Sequence, residues 1–165
     1  MKKNTPISLN DFEQRLARTV GRGRSSVADK YKLKACTVGK EGTQELGHIE
    51  GFAAELAFCK LFNIYPDLKP EPKKPKTDTG DCIWNGLVID VKTTVYPEGK
   101  LLCVQWKHQH LIDYYALMTG VFPHYYYRGV MSAKELHRPE RLRDFGHRSP
   151  AYSADQEELT DLIKR

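Results

Sequence analysis

No two of the four cysteines stand close enough along the chain to form a CxxC pair. Cys36, Cys59, Cys82 and Cys103 are each more than twenty residues apart, which excludes the paired CxxC spacing of zinc knuckles and ribbons. Cys59, Cys82 and Cys103 lie inside apolar segments and read as small core residues. The six histidines include no helical HExxH pair, so metal-binding histidines are not expected. No apolar run approaches the ~20 residues of a membrane span. The start, Met1-Lys2-Lys3-Asn4-Thr5-Pro6, leads into Ser8-Leu9-Asn10-Asp11 rather than into an apolar signal segment. The expectation is a cytoplasmic protein with no membrane partner. There is no internal repeat. A large excess of one charge is missing too: the net charge of +5 is modest for a nucleic-acid binder and argues little by itself.

What is present is enough for one real core, with 165 residues of which 40% are hydrophobic. The charge is uneven. Residues 1–40 carry ten Lys and Arg against three acids, whereas residues 41–68 carry one Lys against five acids. The basic arm, with Arg15, Arg18, Arg22 and Arg24, is the natural phosphate-facing element. The plainer alternative is that these cations only solubilise.

Helical spacing of Leu9, Phe12, Leu16 and Val20 predicts a helix over 9–20, capped by Ser8 and ended by the loop Gly21-Arg22-Gly23-Arg24-Ser25-Ser26. Residues 48–63 form the best helix, with Ile49, Phe52, Ala53, Leu56, Cys59 and Phe62 on one stripe and further apolar residues behind it, so it should be largely buried. On the helical wheel Glu55 edges that stripe while Glu50 points to solvent. Glu55 reads as a third carboxylate for a site, or as a snorkelling edge residue or ion-pair partner. Residues 65–80 are a Pro-rich loop that brings Lys73, Lys74 and Lys76 up to the next strand, for phosphate contact or for solvation. Strands are expected over 101–106, 113–119 and 124–131. Ser132 should cap a short helix, residues 138–152 should be irregular, and Ser153 should cap a last helix.

The most telling stretch is Asp81-Cys82-Ile83-Trp84-Asn85-Gly86-Leu87-Val88-Ile89-Asp90-Val91-Lys92. Asn-Gly between two β-rich runs predicts a type I′ hairpin. Counting outward pairs Trp84 with Leu87, Ile83 with Val88, Cys82 with Ile89 and Asp81 with Asp90. Lys92 projects from the Asp90 face. Facing carboxylates repel, and an ammonium or a bound cation would offset this. Two carboxylates and a lysine suit Mg²⁺, which keeps waters and takes substrate phosphate oxygens. The plainer alternative is a surface ion cluster. The other hairpin face is wholly apolar, which predicts a central position in a covered sheet and favours a use for the charges.

Gly51-Phe52-Ala53-Ala54-Glu55-Leu56-Ala57, then Gly80-Asp81, then Ile89-Asp90-Val91-Lys92-Thr93-Thr94 resemble the PD-(D/E)XK nuclease superfamily over roughly residues 48–137, and its small phage and prophage members in particular. The resemblance implies an α/β, restriction-endonuclease-like core with a central mixed β-sheet flanked by helices. Residues 1–47 would be a basic N-terminal helical arm, and 48–165 the core with a C-terminal helix. It implies a site in which Asp81 and Asp90 bind Mg²⁺ (Mn²⁺ substituting), with the Val91 carbonyl as a further ligand. Glu55 would help bind metal or water, and Lys92 would position or activate the water. Gly80 stands where the family motif has proline. The implied activity is hydrolysis of DNA phosphodiesters by direct water attack. A catalytically silent nucleic-acid-binding protein and an RNA nuclease are the alternatives. The partner is nucleic acid, DNA first, and a homodimer is compatible with the pattern.

Overall fold

The computed structural model describes residues 2–31, 44–70, 80–105, 111–146 and 149–162. A short strand, β1 (Pro6–Ser8), precedes the first helix, α1 (Asp11–Lys30). Asn10 caps that helix. Its Oδ1 accepts from the Phe12 and Glu13 amides, and Glu13 Oε2 accepts from the Asn10 amide at 2.7 Å, closing a capping box. The expected Ser8 cap and the expected stop at Gly21 are both corrected, because Ser8 belongs to β1 and the helix runs on through Gly21 and Gly23. Each interior glycine costs a helix about 1 kcal/mol relative to alanine, and tertiary packing overrides that cost. A Cβ on Gly21 would lie 2.6 Å from Ile49 Cα. Ile49 belongs to the second helix, α2 (Gln44–Phe62). The two helices meet backbone to backbone at a residue without a side chain.

Helix α2 is apolar nearly all round, and Phe52, Ala53, Ala54, Ala57 and Phe58 are fully buried. Losing either phenyl ring would cost about 3–5 kcal/mol. The remaining elements are β2 (Cys82–Trp84), β3 (Leu87–Thr94), β4 (Leu101–Val104), β5 (Tyr114–Val121), β6 (His124–Ser132), α3 (Ala133–Leu136), β7 (Leu142–Arg143) and β8 (Ala151–Ala154). Five strands make one mixed sheet in the order β1-β6-β5-β3-β2. Strands β3 and β5 run parallel and the other pairs antiparallel. A separate three-stranded antiparallel sheet has the order β4-β8-β7.

Alternation along the strands divides the interior in two. Ile89, Val91, Ala116 and Met118 face α1 and α2, in a core shared with Phe52, Phe58, Phe62, Tyr125 and Tyr127. Tyr115 and Leu117 face the other way, into a second core with Leu101, Cys103, Met131 and Leu136. The architecture is therefore mixed α/β. Long helices cover one face of the five-stranded sheet, and the small sheet with α3 covers the other. Ala17 and Val20 of α1 belong to the first core, and the boundary expected at residues 47/48 falls inside α2.

Two further expectations are corrected. The hairpin is not central: β2, only three residues long, is the edge strand. Ser153 caps no helix but lies in β8, and Asp155 caps a single 3₁₀ turn, Gln156–Glu158. Leu159 is buried behind that turn and Thr160 bridges to Val130. Ser132 does cap α3, its Oγ accepting from the Glu135 amide at 3.2 Å. No described helix is long and apolar enough to cross a membrane.

Candidate metal centre and phosphate-facing surface

Asn85 and Gly86 adopt φ of 48° and 80°, the positive pair that a type I′ turn requires. The register follows the count from that turn: Trp84↔Leu87, Ile83↔Val88, Cys82↔Ile89. The pleat ends there. Asp81 does not continue the ladder opposite Asp90, because its amide donates to the Ile89 carbonyl at 2.8 Å. Gly80 sets this departure. Its φ is +72°, and a Cβ there would meet Val88 Cγ1 at 2.6 Å and the Ile89 oxygen at 2.7 Å. Proline, with φ held near −65°, could not adopt this conformation.

Since β2 stops at Cys82, no described strand pairs with β3 on that side at Val91, which leaves an open edge among the described residues. The Asp81 carboxylate fills part of it, with Oδ2 accepting from the Val91 amide at 2.7 Å. The amide and carbonyl of one strand residue point to the same edge, so the Val91 carbonyl is directed to the Asp81 side.

Asp90 and Lys92 project together from the other face of β3, the side of Tyr115 and Leu117, their neighbours on β5. Lys92 Nζ donates to Asp90 Oδ1 and lies 5.6 Å from the Tyr115 ring centroid. The Asp90 side chain is 6% exposed and that of Lys92 21%. Burial alone would lower the Lys92 pKa, but Asp90, Cys103 and Asp81 together outweigh it and raise it, so the side chain stays an ammonium. Asp81 does not face Asp90 as expected, yet both act on this one cation.

Glu55 is 8% exposed on α2, at the edge of the buried stripe as the wheel places it. It is an ion-pair partner. Arg24 Nη1 donates to Glu55 Oε1 and Oε2 at 3.0 and 2.9 Å. The same guanidinium donates to the Asp67 carbonyl through Nη2 at 2.8 Å and to the Lys69 carbonyl through Nε at 3.4 Å, over the Phe52 ring. Burial would lower the Arg24 pKa, but Glu55, Asp81 and Asp67 together outweigh it and raise it. Asp81 thus lies within electrostatic reach of both Arg24 and Lys92. Glu50 does not point to solvent. It accepts from the Tyr125 hydroxyl at 2.9 Å and from the Phe122 amide at 3.3 Å.

The basic residues of α1 separate into two roles. Arg15, Arg18 and Arg22 are exposed at i, i+3 and i+7, one stripe of the helix. Arg15 stacks on the exposed Phe12, Arg18 on Phe122, and Arg22 pairs with Glu45 at 3.2 Å. Arg24 turns inward, and its expected place on a nucleic-acid surface is corrected. Lys73, Lys74 and Lys76 lie outside the described residues. Among the described residues, no group of three or more His, Cys, Asp and Glu side chains is arranged to hold a metal ion.

Sequence reasoning missed the inward role of Arg24, because reading Gly21-Arg22-Gly23 as a helix end removed the phase that turns it towards α2. It missed Tyr115 and Cys103 beside Lys92 as well, since only the parallel β3–β5 register and the packing of the second sheet bring them there. No family model, curated protein or solved structure matches this chain.

Proposed function

We propose that this protein is a Mg²⁺-dependent nuclease that hydrolyses DNA phosphodiester bonds by direct attack of water, on a restriction-endonuclease-like version of its mixed α/β fold. The observation that carries the reading is the open edge of β3. There Asp81, held by the Val91 amide, and the Asp90–Lys92 pair come from the two arms of one hairpin. The donor set fits a hard divalent cation. Mg²⁺ is bound by one or two carboxylates, keeps several waters, and takes phosphate oxygens from the substrate. Asp81 and Asp90 would hold it, with the Val91 carbonyl directed to the same edge. When bound, the ion supplies Lewis-acid polarisation of the phosphoryl group and a water of lowered pKa.

The chain's own groups do the rest. Lys92 stays cationic beside Asp90 and can orient a water or meet negative charge developing on phosphoryl oxygens. The Arg15–Arg18–Arg22 stripe offers phosphate contacts that position a backbone without reading sequence. Gly80 in place of the motif's proline suits its positive φ, which proline could not adopt.

A second reading, a nucleic-acid-binding platform without catalysis, draws on the lack of a three-ligand cluster among the described residues. Digestion of circular, linear, branched and single-stranded DNA, and of RNA, with Mg²⁺ or Mn²⁺ separates the readings. The expected result is metal-dependent cleavage of DNA that Asp90→Asn and Lys92→Met both abolish. Cleavage of RNA alone would replace the substrate. DNA binding with neither cleavage nor stabilisation by Mg²⁺ would leave the silent platform.

A further inference from the structure

We propose that the candidate centre takes a single divalent cation, and that Arg24 is the built-in positive charge that keeps Glu55 out of its coordination shell. This inference rests on the metal-dependent reading above. Both oxygens of Glu55 are engaged by one guanidinium nitrogen at 2.9–3.0 Å. The guanidinium is pinned from three further sides, by the carbonyls of Asp67 and Lys69 and by the Phe52 ring. The two side chains are only 14% and 10% exposed.

For Glu55 to become a metal ligand, this pair has to open. Opening it strands a buried guanidinium, and breaking a buried pair on one side is strongly unfavourable. A second ion beside Glu55 would also sit next to a positive charge in a poorly solvated place, where like charges repel far more than in water. What remains for metal is Asp81 and Asp90: the Asp90 partner, Lys92, is 21% exposed and flexible, and it can turn to solvent where the pinned Arg24 cannot. Two carboxylates match the needs of one Mg²⁺ and fall short of a paired-ion site, in which two metals ~3.5–4 Å apart share donors. Arg24 is therefore a positioning residue. It fixes Glu55, ties the 67–69 segment to α1 and α2, and lies within electrostatic reach of Asp81. It supplies on that side the positive charge that a second ion would bring.

Mn²⁺ titration of the full chain, followed by the electron paramagnetic resonance of free Mn²⁺, tests this without any turnover. The wild type should bind one Mn²⁺. Glu55→Gln should also bind one, with affinity changed by less than about tenfold, the smallest loss usual when a group supporting a metal is removed. Arg24→Gln, which releases the carboxylate, should bind a second Mn²⁺, and Arg24→Gln combined with Glu55→Gln should return to one. Two Mn²⁺ on the wild type, or a loss of about tenfold or more in Glu55→Gln, would make Glu55 a ligand and overturn the inference while leaving metal-dependent cleavage standing. A folded Arg24→Gln that binds only one would remove Arg24 from the account. No Mn²⁺ on the wild type would sink both this inference and the nuclease reading. If Arg24→Gln does not fold by circular dichroism, the wild type and Glu55→Gln decide the matter by themselves.

Discussion

Lys92 and Asp90 form a largely enclosed ion pair, their side chains 21% and 6% exposed, and this decides what the loss of one carboxylate does to stability. Two facing carboxylates alone would repel, so removing one should relieve strain. With Lys92 Nζ donating to Asp90 Oδ1, and Asp90 the foremost of the groups that raise the Lys92 pKa, Asp90→Asn instead leaves a part-buried ammonium short of its partner. Breaking one side of such a pair costs about 3 kcal/mol, whereas replacing both partners by apolar groups is often neutral. Urea unfolding should therefore rank Asp90→Asn well below the wild type, with Asp90→Asn/Lys92→Met recovering most of the loss. Equal stability of Asp90→Asn and the wild type would mean that Asp81–Asp90 repulsion outweighs the ion pair. The Asp90–Lys92 face was legible in the sequence, because a two-residue Asn-Gly turn pins register within ten residues. The Asp81 departure was not, since it depends on where β2 stops and on the positive φ of Gly80.

At the scale of elements, the contact between α1 and α2 turns on Gly21, and Gly23, two positions on, is its control. Gly21 faces Ile49, whose Cα and N would lie 2.6 and 2.8 Å from a new Cβ. Those are backbone atoms, so the helices must separate. Gly23 would meet only Pro70 Cβ at 3.6 Å, an ordinary contact. Gly21→Ala should thus destabilise by more than the ~1 kcal/mol of propensity it gains, while Gly23→Ala should stabilise by up to about 1 kcal/mol. Opposite shifts of the urea midpoint would verify the packing, and stabilisation by both would show that α2 does not approach at Gly21. The same glycines explain the misread helix end. Propensity counts Gly-Arg-Gly-Arg as a stop, and only a helix 23 residues further on, paired through Arg22–Glu45 and Arg24–Glu55, reveals why it continues. Long periodic segments such as α2 were legible because burial all round leaves a composition signature. The second sheet was not, because β7 has two residues and β8 four, too short for any alternation to register.

Across the whole molecule, the two cores on either face of the five-stranded sheet carry titratable groups that bound the pH range of stability from both sides. On the acid side, burial lowers the pKa of His48, with Arg24 adding to the effect, and burial lowers that of His137. The Nε2 atoms of both are buried without a hydrogen-bond partner among the described residues. A lowered folded value means that the unfolded chain binds more protons. This contribution is full above the unfolded histidine value near 6.5 and is lost as pH falls towards and through the folded values. On the alkaline side, burial raises Tyr125, with Glu50 adding to it, and raises Tyr127, while Asp90 and its neighbours raise Lys92 against burial. There the folded state binds more protons. The contribution is full below the unfolded values near 10 and is lost as pH rises through the folded ones. The Cys59 side chain and burial likewise raise the Cys82 thiol, whose unfolded value is about 8.5, so the urea midpoint should be level between about pH 7 and 8.5 and fall on both sides. The two histidines lie on different elements, His48 on α2 and His137 at the end of α3, which lets the acid limb be divided. The His137 ring lies 5.5 Å from that of Tyr115 and 5.0 Å from that of Tyr152, beside the second core, while His48 is on α2. His137→Phe keeps an aromatic ring there and removes the proton site. It should shallow the fall between pH 7 and 5 by no more than the one-proton limit of about 1.4 kcal/mol per pH unit, and leave the alkaline limb unchanged. An acid limb as steep as that of the wild type would show that His137 is not desolvated in the folded state, and the whole acid dependence would then fall to His48 and the carboxylates.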